Sequence, residues 1–347
     1  MDSTDPRNPR SELLGRAWLL TVPMHQDELF SGWLVRAALV QGCDPKTLTS
    51  SLWPGWRAWS RDLDRGLSGP QLRVLSNASG VSQGALSRTS VRDIASQIST
   101  QDLRVDQTWP WILALGARGE RRRGGLQCCP ACFATGDQCF YRRSWRAAWH
   151  VACPLHGCLL LDRCPQCRSP LEPHRLSARD GRLDVCASCS THLSIGVRQT
   201  FDPDALALQE AADAVLAMGG GSFGRVHLER RCWFAAVRCL TTHQFPGQER
   251  PTPSNDQMSV DQAALGFRLE LSDVSTRQRM LARAWRLMPN VDAQDVMART
   301  NLKRVARPPL ASPPASSSGS GVAMRPLSKV QVARAWHRLV RRHRLES

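Results

Sequence analysis

Apolar positions repeat with a helical period in the first patterned part of the chain. Phe30, Trp33 and Ala37 would share one face of a helix. We expect Asp27 to be the N-cap of this helix and Gly42 to end it, because these residue types favour those positions. The first predicted element is therefore a helix that packs against a core.

A second stretch has the outline of a helix-turn-helix. Leu72, Leu75 and Ala78 would form one helical face. Gly80 would break this helix, and Ser82 can cap a second, short one. Ordinary helical hairpins share the outline, so the sequence leaves two roles open: reading DNA and plain packing.

Helical spacing returns from residue 203. An apolar helix is predicted around residues 211–218, and two longer ones over 226–240 and 260–288. Between them, Gly219, Gly221 and Gly224 match the dinucleotide-binding pattern G-x-G-x-x-G. That pattern requires a preceding strand, and here a helix precedes it, so we expect a flexible connection.

The chain ends in a tethered basic helix. Residues 307–326 are rich in Pro, Ser and Gly and are predicted to be a linker. In residues 327–347, Val332 and Trp336 would lie on the apolar face of an amphipathic helix. The helix could dock on the body, but the linker favours a contact with nucleic acid or a partner. The candidate contact residues are Arg334, Arg338, Arg341 and Arg342.

Composition excludes several classes of protein. Hydrophobic residues make up 42% of the 347 residues and charged residues 22%, as in folded globular proteins. No apolar run approaches the roughly 18 residues of a membrane helix, so we expect no membrane association. The N-terminal residues lack the apolar core of a secretory signal, and we therefore predict a cytoplasmic protein.

Positive charge points to a polyanionic partner. The sequence has 46 Lys and Arg against 30 Asp and Glu, a formal net charge of +16. Such an excess favours nucleic acid, or a nucleoprotein complex, before a membrane surface. Arg121, Arg122 and Arg123 lie in a basic connection that is either a solvated loop or a phosphate contact.

The 13 cysteines indicate metal ligation, because a reducing cytoplasm does not sustain a disulfide framework. Two patterns follow each other: C-x2-C-x20-C-x2-H and C-x2-C-x18-C-x2-C. A two-residue gap lets one tight turn direct both donors at one ion, and thiolate with imidazole selects Zn²⁺. The predicted ligands of two zinc ions are Cys129, Cys132, Cys153, His156, Cys164, Cys167, Cys186 and Cys189.

The spacing leaves the pairing of these ligands open. Sequential pairing would give one centre with three cysteines and a histidine and one with four cysteines, and a cross-braced pairing would use the same eight residues. Four protein ligands leave no open position for water or substrate, so both centres are predicted to be structural. Cys139 and Cys158 lie off the pattern and are expected to be packing residues.

The enzyme motifs that the sequence could suggest are absent or incomplete. The chain has no phosphate-binding G-x-x-x-x-G-K-[ST] loop. The His-x-Glu at 227–229 is not followed by the P-C-x-x-C of zinc deaminases. We therefore expect a protein without catalytic activity.

Several segments of the chain form a recognisable set of motifs. They are ELFSGWLVR (28–36) after Pro23, DLDR (62–65), CCPAC (128–132), Tyr141, Trp145, CPLHG (153–157), Leu160, CPQC (164–167) and RQRMLARAWRLM (277–288). Together these segments resemble the TniQ/TnsD family of transposon target-selection proteins. The zinc stretch is the most specific, and the flanking segments are less so.

The resemblance implies a non-catalytic adaptor. Such proteins select the insertion site by binding DNA or by riding on a CRISPR RNA-guided surveillance complex. They then recruit an AAA+ ATPase regulator of the transposase, and some act as homodimers. The eight zinc ligands carry over from the family pattern, whereas no DNA-contact residue does. The alternative, from another class, is a zinc-containing helix-turn-helix transcription regulator.

The sequence therefore predicts a mainly α fold with small zinc-ribbon β elements. The expected parts are a leader (1–22), an N-terminal helix-turn-helix-like domain (23–117), a tandem zinc-binding module (118–200), a C-terminal helical domain (201–306), the linker (307–326) and the basic amphipathic helix (327–347).

Overall fold

Helices dominate the described part of the chain, as predicted. The computed structural model describes residues 17–116, 124–135, 139–196, 199–242 and 268–291. These all belong to one compact unit, Met1–Arg307. Within the described residues, no helix is long and apolar enough to cross a membrane.

Helices and two small antiparallel hairpins make up the regular structure of the described residues. In chain order, the helices are α1 (Phe30–Val40), α2 (Pro45–Leu52), α3 (Gly69–Ser79), α4 (Gln83–Arg88), α5 (Arg92–Ile98), α6 (Pro130–Ala134), α7 (Pro203–Met218), α8 (Arg230–Thr242), α9 (Arg268–Leu271) and α10 (Val274–Leu287). The strands are β1 (Ala152–Cys153), β2 (Cys158–Leu159), β3 (Gly220–Phe223) and β4 (Val226–Glu229), with β1 paired to β2 and β3 to β4.

Helix α1 begins later than the sequence predicts. Its N-cap is Leu29, and the expectation for Asp27 was wrong. Asp27 has a left-handed backbone, with φ of 61°, and its carboxylate accepts a hydrogen bond from the Ser144 hydroxyl instead. The N–H of Ser31, in the first turn, donates to Asp64 Oδ1 at 2.7 Å, so a distant carboxylate serves the helix start.

Helix α3 ends and helix α4 begins where the sequence predicts. Ser68 and Gln71 form a capping box at the start of α3, and Gly80 ends the helix in a left-handed conformation. The Ser82 hydroxyl accepts the N–H of Ala85 at 3.3 Å and caps α4. The local cap chemistry read from the sequence therefore positions both helices of the helix-turn-helix outline.

The glycine-rich segment is a strand, and the expected flexible connection was wrong. Gly220 to Phe223 pair with Val226 to Glu229, so the helix predicted over 226–240 begins only at Arg230. A Cβ on Gly220 would lie 2.7 Å from the Leu228 carbonyl oxygen, so the strands pair closely only without it.

The helix predicted over 260–288 is interrupted. Helix α9 ends at Leu271, and Asp273 caps α10 by accepting the N–H of Thr276 at 2.7 Å. Residues 260–267 lie outside the described residues.

Buried arginines connect the segments that the sequence separates. Arg146 donates to Asp62 and Asp64, both in the DLDR segment, and is 1% exposed. Arg277 of α10 is also 1% exposed and donates to the carbonyl oxygens of Ala148 and His150, each at 2.9 Å. One hydrophobic core includes residues from the N-terminal, cysteine-rich and C-terminal segments.

Candidate metal centres

The first four predicted ligands converge on one point. His156 Nδ1 lies 3.5 Å from Cys129 Sγ, 3.3 Å from Cys132 Sγ and 3.5 Å from Cys153 Sγ. The sulfurs of Cys132 and Cys153 are 3.8 Å apart. All four donor atoms lie within 4.8 Å of one another, and we call this group the CCCH centre.

The second four ligands form a group of the same size, which we call the CCCC centre. Cys164 Sγ lies 3.6 Å from Cys189 Sγ, and Cys167 Sγ lies 3.7 Å from Cys186 Sγ. The structure thus groups the eight residues sequentially, and no cross-braced group occurs among the described residues.

These separations match the edges of a zinc tetrahedron. With Zn–S bonds of about 2.3 Å, neighbouring sulfurs lie about 3.8 Å apart, and a sulfur lies about 3.5 Å from an imidazole nitrogen. Each group can therefore hold one metal ion with four protein donors.

Three of the four ligand turns share one backbone geometry. In each, the residue after the second ligand has a left-handed backbone and donates its N–H to the carbonyl of the first ligand. These residues are Gly157 (φ 57°, to Cys153 at 2.9 Å), Arg168 (φ 60°, to Cys164 at 3.1 Å) and Ser190 (φ 58°, to Cys186 at 2.8 Å). The repeated turn directs both donors of each pair to the same side.

The remaining pair of ligands, Cys129 and Cys132, lies at the start of a helix instead. Cys129 is the N-cap of α6, and its Sγ accepts the N–H of Cys132 at 3.3 Å. Pro130 occupies the first turn of α6, where its fixed φ favours helix initiation and its missing N–H is tolerated. The C-P-A-C sequence therefore encodes its own cap.

Hydroxyl groups support two ligands of the CCCC centre. Hydrogen bonds from the Thr191 side chain and N–H lower the pKa of the Cys189 thiol to about 6. Hydrogen bonds from Ser169, chiefly from its side chain and then from its backbone N–H, likewise lower the pKa of the Cys167 thiol. Both residues thereby stabilise the thiolate form that a metal ion requires.

Cys158 has a closer relation to the CCCH centre than the sequence predicts. It is 1% exposed, and its Sγ lies 3.6 Å from Cys129 Sγ. The signal that could have found it is its place opposite Cys153 in the β1–β2 hairpin. Cys139 is partly buried against the core, in agreement with a packing role.

A cleft of about 190 Å³ brings together polar residues that the sequence did not predict to form a site. Ser144 donates to Asp27, whereas His150 Nε2 lies 2.9 Å from Asp213 Oδ1. Among the described residues, no hydrogen bond joins Ser144 to His150. The cleft therefore contains two separate hydrogen-bonded pairs, Ser144 with Asp27 and His150 with Asp213.

The arginines that are predicted to contact nucleic acid or a partner lie outside the described residues. They are Arg121, Arg122, Arg123 and the tail residues Arg334, Arg338, Arg341 and Arg342. In the helix-turn-helix outline, Arg73 of α3 and Arg88 of α4 are exposed.

The architecture defines a mainly helical protein with two four-ligand centres suited to zinc modules. Residues 19–160 match the family model TniQ, and this match supports a TniQ family assignment for that part of the chain. The matched region includes the DLDR segment and all four donors of the CCCH centre. The family assignment connects the chain in general terms with target selection in transposition. No curated protein matches this chain.

Proposed function

We propose that this protein is a non-catalytic adaptor that selects the target site in DNA transposition. It acts in the cytoplasm, binds DNA or an RNA-guided CRISPR complex, and recruits an AAA+ ATPase regulator of the transposase. The observation that carries the proposal is the TniQ match over residues 19–160. The net charge of +16 supports a nucleic-acid contact.

Both metal centres hold structural Zn²⁺ in this proposal. The soft donor sets favour Zn²⁺, and the separations of their atoms support tetrahedral coordination. The eight ligands would fix the ligand turns relative to the core, and zinc would supply binding free energy for folding. Four protein donors at each ion leave no position for a substrate, which supports a role without catalysis.

DNA contacts are assigned to basic residues outside the metal centres. The candidates are Arg121, Arg122, Arg123, Arg334, Arg338, Arg341 and Arg342. Each phosphate that such a residue neutralises would steepen the salt dependence of binding by about 0.9 in log–log slope.

The test is a binding assay between the full-length protein and an AAA+ ATPase regulator from the same transposon, with and without DNA. We expect a complex that DNA stabilises. As a specificity control, the assay is repeated with an AAA+ ATPase from an unrelated transposon. Sequence-specific DNA binding without any ATPase complex would contradict the adaptor function and favour the transcription regulator, which the α3–α4 outline also supports.

A catalytic assay tests the absence of enzymatic activity. Purified protein with DNA, ATP and Mg²⁺ should neither cleave or join strands nor hydrolyse ATP. Activity that co-purifies with the protein and is lost in a folded single-carboxylate variant would overturn this part of the proposal.

A further inference from the structure

Cys158 contacts the CCCH centre without belonging to its four donors. Its Sγ lies 3.6 Å from Cys129 Sγ, and the residue is 1% exposed. The four donor atoms lie within 4.8 Å of one another, and Cys158 is not a member of that group. A fourth sulfur therefore approaches one ligand from outside the predicted tetrahedron of three sulfurs and one nitrogen.

The hairpin explains why Cys158 is directed at the centre. Cys153 of β1 and Cys158 of β2 are directly opposite each other in the antiparallel register. Opposite residues project from the same face of a sheet, with Cβ atoms about 4.5–5.5 Å apart. Because Cys153 is a ligand, its cross-strand partner reaches the same centre.

A bound metal decides which sulfur donates the hydrogen bond. A ligating cysteine is a thiolate and carries no proton, so with metal bound Cys129 can only accept. It already accepts the N–H of Cys132 at 3.3 Å. We propose that Cys158 is a positioning residue whose thiol donates a hydrogen bond to the Cys129 thiolate, fixing its orientation and reducing its negative charge.

The CCCC centre has a parallel arrangement. There the Ser169 and Thr191 side chains hydrogen-bond to Cys167 and Cys189. The Cys158 thiol would supply the CCCH centre with the side-chain donor that hydroxyls supply in the CCCC centre. Loss of such an outer partner typically weakens metal binding about 10- to 100-fold.

The experiment separates hydrogen bonding from packing with two substitutions in the full-length protein. Cys158→Ser keeps a donor but reduces apolar volume, whereas Cys158→Val keeps apolar volume but has no donor. Cys139→Val is the matched control, because Cys139 lies in the same region but outside both donor groups. Each protein is loaded with ¹¹³Cd²⁺, and the resonances of the CCCH and CCCC centres are followed during competition with a chelator.

We expect Cys158→Val to weaken Cd²⁺ binding at the CCCH centre about tenfold or more and to shift its resonance. Cys158→Ser should stay close to the wild type in both measurements, and the resonance of the CCCC centre should not change. Retained affinity in Cys158→Val would assign Cys158 to packing and overturn the proposal. Equal losses in the Ser and Val variants would also overturn it.

A variant that misfolds is recognised by its far-ultraviolet circular dichroism. If Cys158→Val misfolds, Cys158→Ala replaces it, since Ala removes the donor without overfilling the site. The inference rests on the metal occupancy in the proposed function. Wild-type protein that binds fewer than two Cd²⁺ ions would contradict that occupancy, and this failure is distinct from any effect of Cys158.

Discussion

At the residue scale, the CCCC centre retains backbone strain that the CCCH centre avoids. Arg168 and Ser190 have φ of 60° and 58°, at the position that Gly157 occupies in the CCCH centre. A residue with a Cβ in this conformation costs roughly 1–2 kcal/mol. The turns of the CCCC centre tolerate this strain while their N–H groups close onto the ligand carbonyls.

Substituting Ser190 by Gly should therefore stabilise the metal-loaded protein. The relief of strain exceeds the added flexibility of glycine in the unfolded chain, about 0.5–1 kcal/mol, so we expect a modest net gain. Calorimetry should give a higher Tm. Ser188→Gly is the control, because Ser188 lacks a positive φ and its replacement should lower the Tm. A lower Tm in both variants would contradict the strain argument.

A second feature at the residue scale is the buried charge of Arg146. It donates to Asp62 Oδ2 at 2.7 Å and to Asp64, and its side chain is 1% exposed. Asp64 also accepts both the N–H and the hydroxyl of Ser31. The DLDR segment, which resembles the family pattern, thus connects α1 to the residues before the first hairpin.

Replacing Arg146 by Met should strongly destabilise the fold. It would leave two carboxylates without their buried partner, at a cost of about 3–5 kcal/mol in the free energy of unfolding by urea. Arg104→Met is the control: its ion pair with Asp106 is about two-thirds exposed, and its loss should cost about 0–1 kcal/mol.

A double variant tests whether the loss comes from the ion pair. Adding Asp64→Asn to Arg146→Met should cost less than the sum of the two single losses, because neutral Asn removes one uncompensated charge. Strict additivity would contradict a direct interaction.

At the element scale, the β3–β4 hairpin requires glycine at positions where a side chain would not fit. A Cβ on Gly221 would collide with Cγ2 of Val215, in the preceding helix α7. Trp233 of α8 donates its indole N–H to the Ser222 carbonyl at 2.9 Å. The hairpin is thus packed between the two helices that it connects.

Gly221→Ala should destabilise the protein by about 1–3 kcal/mol, as overpacking typically does. Unfolding in urea measures the loss. Val215→Ala should partly rescue it by making space for the new methyl group. Ser222→Ala is the control, since that side chain is exposed and only its carbonyl is used. A neutral Gly221→Ala would instead favour the flexible connection.

At the scale of the whole molecule, the two centres are embedded differently. Cys129, Cys132 and Cys153 belong to the shared hydrophobic core. In the CCCC centre, Cys164 and Cys186 also belong to this core, whereas Cys167 and Cys189 are exposed. The CCCH centre is therefore embedded in the main fold through all three of its cysteines, and the CCCC centre through only two of its four.

Metal removal should reveal this difference. Wild-type protein should contain two zinc ions by elemental analysis. Cys132→Ser should lose an ion together with most of the helical circular dichroism, because structural zinc contributes directly to folding. Cys167→Ser should lose an ion but keep most of the helical signal. Similar losses of helix in both variants would contradict the different embedding.

The sequence by itself determined the features that depend on neighbouring residues. The two-residue gaps predicted the eight residues that the structure groups into two candidate metal centres, because a single tight turn directs both donors. Gly80 and Ser82 likewise defined the boundary between α3 and α4, since caps act within one helical turn. The TniQ resemblance followed from short local stretches and is confirmed by the family match over residues 19–160.

Only the tertiary structure decided the features that depend on distant contacts. Asp27 does not cap the helix as expected, and its carboxylate instead accepts a hydrogen bond from Ser144, 117 residues away in sequence. Gly221 pairs with Leu228 of the opposite strand, and Val215 leaves no space there for a side chain. The ligand pairing and the position of Cys158 likewise required the fold. The physical reason is that periodicity and caps act within a few residues, whereas these choices depend on which surfaces meet when the chain packs.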